Sequence, residues 1–412
     1  MNLQIDGDRL YRELHDLGAI SSEPAPVVTR VVFSEADLRA RRFIRTLCDE
    51  TELVVREDPV GNTFARWIGS EPALPPAGTG SHIDAIPNAG LFDGCVGVLG
   101  GLEAIRALKR TGFRPRRSIE LVVFTSEEPT RFGIGCFGSR MLAGAMAPTA
   151  GDMLRDAAGK SLDEARREAG FHGELSGVRL PKGYYSAFLE LHIEQGPILE
   201  QRLIDIGVVS AIAGPATLRI EIEGEGGHAG AVLMPQRRDA FLAAAEIALA
   251  VEAEAKGTGA PDTVGTTGIC DIFPRAVNSV PSRVRMEIDV RDIDGARRDG
   301  VIAQIQQAAD TIALRRRLIL RREVLNADPP AHCDGGLIAA VERACDTHQL
   351  THERMISRAY HDSLFMSLIA PVAMIFVPCR GGVSHRPDEY SAPEAVAKGA
   401  LALAESLAAL SS

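Results

Sequence analysis

The sequence has no CxxC spacing, no long apolar run, no excess of basic charge and no fixed-period repeat. Each absence removes a class of protein. Cysteine occurs at seven scattered positions: Cys48, Cys95, Cys136, Cys270, Cys333, Cys345 and Cys379. An odd count without a pairing pattern reads as reduced thiols, not a disulfide framework. The opening stretch "MNLQIDGDRLYRELHDLGAI" carries acids and no apolar core, so neither a signal peptide nor a membrane span is expected. Net charge is −10, and nearly all the basic residues are arginine. That balance argues against nucleic acid or a membrane surface as the partner. The expectation is a cytoplasmic protein.

What is present is ample core. The 412 residues are 45% hydrophobic and 24% charged, enough for more than one globular domain. "FSEADLRARRFIRTLCDE" places a Ser at the cap of a helix with apolar residues at helical spacing. "ELVVRED" and "GNTFARWIG" read as two strands around a turn at Gly61-Asn62. "FDGCVGVLGGLEAIRALKRTG" continues from small residues into a helix. "SIELVVFTS" is a near-continuous apolar strand, the kind covered on both faces in an α/β layer architecture. From Gly214 the order changes to strand, helix, two strands, helix and strand, the ferredoxin-like split motif. After "ADPPA" the α/β character returns. The fold expected is therefore α/β. A discontinuous main domain (residues 1–213 and 329–412) is interrupted by a ferredoxin-like α+β insert (214–328).

Five clusters near predicted strand ends carry imidazole and carboxylate: "GSHIDAIP" (His82, Asp84), "GLFDG" (Asp93), "SEEP" (Glu127, Glu128), "ELHIEQG" (His192) and "GGVSHRP" (His385). Such a set without thiolate suits Zn²⁺, Mn²⁺ or Co²⁺. One carboxylate bridging two cations would make a two-metal hydrolase. Adjacent glutamates repel each other, and a cation offsets that repulsion. Taken singly each cluster is ordinary: a His-x-Asp pair is usually a satisfied polar pair, and neighbouring glutamates are usually solvated. Arg131, just beyond the Glu pair, could serve only to neutralise it. The ordered set is the informative feature.

The motifs "GSHIDAIPNAGLFDG", "SEEPTRFGIGCFGSRMLAG", "ELHIEQGPILE", "GGHAGAVLMPQRRDA", "NSVPSRVRMEIDVRD", "RAYHDSLFM" and "PCRGGVSHRPDEYS" run from about Gly80 to Ser391. As a set they resemble the hydantoinase/carbamoylase group of metal-dependent amidohydrolases, which belongs with the metallo-aminoacylases and dinuclear carboxypeptidases. The resemblance implies two divalent ions per subunit, Mn²⁺ favoured with Zn²⁺ or Co²⁺ possible. The implied ligands are His82, Asp93, Glu128, His192 and His385, with Asp93 bridging. Asp84 would orient His82 from behind. Glu127 would take a proton from the attacking water and return it to the leaving nitrogen. His228 would stabilise the oxyanion. A small ureido or carbamoyl acid is the implied substrate. Arg291 would clamp its carboxylate, Gln195 and Asn278 would form a polar clamp, and Tyr360 and His361 would be further contacts. A homodimer is implied, with the insert serving dimerisation and lid closure. Ala85, Ala89 and Tyr360 depart from the usual carbamoylase pattern at positions that bear on which substrate fits. The competing class is a non-catalytic protein of the same fold, against which the complete ligand set and Glu127 weigh. The remaining histidines, His15, His172, His332, His348 and His352, are read as structural.

Overall fold

Strand Ile119–Phe124 is buried at every position, because both its faces are covered. The computed structural model describes residues 3–412 and divides the chain into two units, Met1–Ser210 with Cys333–Ser412, and Ala211–His332.

In the first unit a sheet is built around four parallel strands, in the order Val372–Val377, Ala187–Ile193, Ala77–His82 and Ile119–Phe124. Thr63–Trp67 and Val54–Glu57 extend it antiparallel beyond Ile119–Phe124. Ile206–Ile212 pairs antiparallel with Val372–Val377 on the other side. One face is covered by helices Gly7–Gly18, Cys95–Arg110, Gly335–Thr347 and Pro393–Ser411, the other by Phe137–Ala143 and Asp362–Met366. The helix predicted from "FSEADL" spans Glu35–Glu50, with the Ser34 hydroxyl accepting the N–H of Asp37. Helix Cys95–Arg110 lies close on the sheet because its first turns are small. A β-carbon at Gly97 would fall 2.4 Å from the carbonyl oxygen of Leu191. That close approach brings the turn ending at Gly94 against the end of the His192 strand.

The second unit holds strands Gly214–Glu223, Val264–Phe273, Arg283–Asp292 and Ile319–Ala327, with helices Ala240–Gly257 and Gly295–Arg316. The strand order is Val264–Phe273, Arg283–Asp292, Gly214–Glu223, Ile319–Ala327, all antiparallel. This is the ferredoxin-like arrangement. Leu218, Ile220, Ile222, Val284, Met286 and Ile288 alternate inward to pack with Ile247, Val251, Val301 and Ile305 of the helices. The intervening charges stay on the other face, where Arg219 meets Glu287 at 2.8 Å. A two-residue ribbon, Gly227–His228 paired with Ser279–Val280, lies outside this sheet. No helix among the described residues is long and apolar enough to cross a membrane.

Candidate metal centre

The carboxyl ends of parallel strands are where open α/β sheets collect their ligand-binding groups. His82 closes strand Ala77–His82, Glu127 and Glu128 follow Ile119–Phe124, His192 lies near the end of Ala187–Ile193, and His385 follows Val372–Val377. Asp93 sits in the turn before helix Cys95–Arg110.

Asp93 divides its two oxygens between two groups. Its Oδ1 lies 3.1 Å from His192 Nε2 and 3.5 Å from His82 Nε2. Its Oδ2 lies 3.3 Å from His385 Nε2, which is also 3.2 Å from Glu128 Oε1. Two candidate ligand triads result, His82–Asp93–His192 and Asp93–Glu128–His385, each with donor atoms within 4.8 Å of one another. All but His385 are buried.

The hydrogen bonds assign the tautomers. His82 Nδ1 lies 3.1 Å from the Asp84 carbonyl and His192 Nδ1 2.9 Å from the Ile193 carbonyl. Each Nδ1 therefore carries hydrogen, which leaves each Nε2 as the ring atom on the Asp93 side; that of His192 accepts the Gly94 N–H at 3.2 Å. His82 Nε2 is buried and makes no hydrogen bond among the described residues. Gly94 has φ +66°, and a β-carbon there would lie 2.4 Å from that nitrogen, so only glycine leaves the space before it open.

The electrostatics point the same way. Burial opposes a proton on His82, yet Glu127, Asp93 and Asp84 hold it well above the usual imidazole range. Burial likewise opposes a proton on His192, and Asp93 outweighs it. Hydrogen bonds to Asp93 and Glu128 push His385 up to about 11. Burial opposes charge on Asp93, but His192, His385 and His82 keep it ionised far below the usual range. The carboxylates that favour positive charge on these imidazoles would equally favour divalent cations among them. The donors present fit a pair of such ions.

The Glu pair is built from its backbone. Asp84 Oδ1 accepts the N–H of Glu127 at 3.2 Å and Oδ2 that of Glu128 at 3.1 Å. The Asp84 carboxylate is farther from His82, at 3.6 Å. His82 is thus oriented by the backbone carbonyl of Asp84, while the carboxylate organises the Glu pair. Burial, then the charges of Glu128, Asp362 and Asp93, raises Glu127 well above the usual carboxyl range against the pull of His82. Arg131 does not sit on the pair; it bonds Asp156 at 3.1 Å and the Val32 carbonyl at 3.3 Å.

The remaining predicted residues fall in both units. Gln195 donates from Nε2 to Asp93 Oδ2 at 2.7 Å, so in this structure it braces the Asp93 carboxylate. His361 is buried, 3.0 Å from Ser357 Oγ, with its ring centroid 4.5 Å from that of His192, against which it packs. Tyr360 is half-buried, and its hydroxyl lies over Gly135, where a β-carbon would fall 2.2 Å from it. In the second unit, His228 is exposed and its Nδ1 accepts the Gly230 N–H at 3.1 Å, leaving hydrogen on Nε2. Asn278 is exposed, and its carbonyl accepts from Ala229. Arg291 bonds Asp289 at 2.7 Å.

Four groups escaped the sequence reading. Glu190 is buried and accepts from Ser81 at 2.7 Å and from the Ser363 hydroxyl at 2.6 Å. Asp362 accepts from Ser139 at 2.5 Å, and burial, with the charge of Glu190, pushes it up to about 8. Ser384 and Glu389 stand behind Asp93. Each lies inside a quoted motif. A carboxylate in an apolar strand such as "AFLELHI" is a signal in itself, because a buried charge must find partners. Three residues around the cluster, Ser126 (φ +55°), Gln195 (φ +55°) and His385 (φ +59°), take left-handed backbone conformations, the sort of strain that gathers at functional sites.

Comparison with known proteins agrees with this geometry. The chain is 53% identical to a ureidoglycolate hydrolase of Arabidopsis thaliana, covering 100% of this chain and 88% of that protein. It is 39% identical to an N-carbamoyl-L-amino acid amidohydrolase of Geobacillus stearothermophilus, covering 96% of each. The crystal structure of AtUAH in complex with glyoxylate superposes with a TM-score of 0.92 at 53% identity, covering 99% of this chain and 98% of that one. Residues 78–409 match the description of one family across most of the length. The chain belongs to the peptidase family M20/M25/M40, whose amidohydrolases are metal-dependent, and it is a hydrolase of C–N bonds.

Proposed function

We propose that this protein hydrolyses the ureido group of (S)-ureidoglycolate, with glyoxylate, ammonia and carbon dioxide as the final products, a step of ureide breakdown. The observation that carries the reading is Asp93 facing one ligand group with each oxygen. Whole-chain similarity to ureidoglycolate hydrolases supports the substrate. The stretches "SHIDAIP" and "MISRAYHDSLFM" carry that likeness most closely.

In this reading His82, Asp93 and His192 hold one divalent ion, and Asp93, Glu128 and His385 the other, with Mn²⁺ the preferred metal. When bound, the pair supplies Lewis acidity to the ureido carbonyl and lowers the pKa of water to near neutrality. Glu127, whose surroundings favour a proton, takes one from the attacking water and passes it to the nitrogen as the C–N bond breaks. His228, with hydrogen on Nε2, donates to the developing oxyanion. Arg291 engages the substrate carboxylate, exchanging its Asp289 partner for a bidentate contact. Asn278, Gln195, Tyr360 and His361 complete the substrate contacts. The working unit is a cytoplasmic homodimer joined through the insert, which leaves Leu249, Ile269 and Val277 exposed.

The test is ammonia release by metal-stripped protein reloaded with Mn²⁺, with ureidoglycolate, allantoate, N-carbamoyl-L-amino acids and β-ureidopropionate offered side by side. Preference for ureidoglycolate is expected. Preference for a carbamoyl amino acid would keep the mechanism and overturn the substrate.

A further inference from the structure

Asp93 is held from behind by a residue that the mechanism does not use. Glu389 is buried, and its Oε1 accepts two consecutive backbone N–H groups, Phe92 at 2.7 Å and Asp93 at 3.0 Å. Its Oε2 lies 3.0 Å from Ser384 Oγ, and that hydroxyl donates to Asp93 Oδ2 at 2.6 Å. Glu389 also turns back through its own N–H to the Arg386 carbonyl at 3.1 Å, enclosing the turn beside His385. The contacts close a ring. It runs from the Asp93 main chain to Glu389, along the turn to Ser384, and back to the Asp93 carboxylate. The ring joins chain segments 296 residues apart. The two backbones meet tightly, since a β-carbon at Gly90 would fall 2.3 Å from that of Glu389.

We propose that Glu389 is a positioning residue: through this ring it sets the bridging carboxylate of Asp93 against His385, and so fixes the spacing between the two halves of the cluster. The inference rests on the reading of Asp93 and His385 as metal ligands. A carboxylate that accepts two main-chain donors anchors the peptide itself, not only a side chain. Ser384 carries the constraint on to Oδ2, the oxygen facing Glu128 and His385. Outer partners of this kind change metal affinity by about 10–100-fold.

The experiment is titration of the full-length, metal-stripped chain with Mn²⁺, following free ion by electron paramagnetic resonance. Wild type, Glu389→Ala, Glu389→Gln and Ser384→Ala are compared, and the thermal midpoint of each metal-free protein is recorded. Wild type is expected to bind two ions. Glu389→Ala is expected to bind one of them about 10–100-fold more weakly. Glu389→Gln, which keeps an oxygen for the two N–H groups, recovers part of the loss. A lower midpoint with both affinities unchanged means that Glu389 only fills space, and overturns the proposal. If Glu389→Ala does not fold, Ser384→Ala decides on the same terms: one weakened ion supports the ring, and two unchanged ions overturn it. Wild-type protein that takes up no Mn²⁺ removes the ligand reading first, and the inference with it.

Discussion

Asp84 grips Glu127 by its backbone, not its side chain, accepting the N–H at 3.2 Å. The Glu127 carboxyl is left for chemistry. Glu127→Gln is nearly isosteric and leaves that grip intact. Metal content should match wild type, while turnover of ureidoglycolate falls by about 10²–10⁴-fold, the usual worth of a positioned acid–base group. Elemental analysis beside initial rates checks both halves. Persistent turnover would remove Glu127 from the role of base.

Gly94 tests the space in front of His82. Alanine there must adopt φ +66° and place its β-carbon 2.4 Å from His82 Nε2. With ψ −43° that backbone lies near the rare, strained γ-turn conformation, which a β-carbon makes costly. The Gly94→Ala protein should keep its circular dichroism spectrum yet bind at most one ion per chain. Two ions at wild-type affinity would mean that His82 is not a ligand.

Removing metal should lower the thermal midpoint. Five candidate ligands converge only in the folded chain, so ions bind the native state in preference to the unfolded one. Restoring Mn²⁺ at about 100 times its dissociation constant should return about 2.7 kcal/mol per site. Scanning calorimetry across a Mn²⁺ series reads this directly. A midpoint indifferent to chelator and ion would count against the metal centre.

Acid sensitivity should be traceable to Asp292. Burial alone would raise its carboxyl pKa. Hydrogen bonds from Arg297 at 2.5 and 2.7 Å, from Thr263 at 2.5 Å and from the Asp294 N–H hold it below the usual range instead. A depressed carboxyl pKa stabilises the fold above the unfolded value, about 4, and the contribution is lost as pH falls through the folded value. Asp292→Asn should therefore cost about 1–3 kcal/mol at pH 7, with the difference from wild type shrinking below pH 4. Urea unfolding at pH 7 and pH 3.5 would show it. A constant difference across that window would refute the assignment.

The strands that carry the cluster were legible because buried parallel strands announce themselves as unbroken apolar runs, as in "SIELVVFTS", with polar residues at their ends. The insert was legible because its alternation and helical periods follow one another in an order that few folds share. What the sequence hid was pairing. Asp84 is two residues from His82, and that nearness suggested a carboxylate–imidazole contact; the extended backbone offered its carbonyl first. The hydrogen bond that lays the Gln195 amide on Asp93 depends on a turn at φ +55° that its neighbours in sequence do not announce. Arg131 is next to the Glu pair in sequence but is drawn off by Asp156. Glu389 and Asp93 are joined across nearly 300 residues, a distance over which a single sequence carries no signal. The ribbon Gly227–His228 with Ser279–Val280 is too short to show a period.

The place of strand Val372–Val377 has a consequence for how the protein is made. It lies between Ala187–Ile193 and Ile206–Ile212, so the middle of the sheet is made after all the other strands of that sheet. Until it arrives, Ala187–Ile193 has an open hydrogen-bonding edge and an apolar face to shield, the condition under which chains pair wrongly. The Ala211–His332 unit is complete by then, with its own core. Its early folding draws the two waiting segments together and shortens the loop that the final strand must close. His385 comes a few residues after that strand. Assembly of the candidate cluster is thus deferred until this strand has been made, and a chain truncated before residue 372 has neither a closed sheet nor His385 to complete the second ligand group.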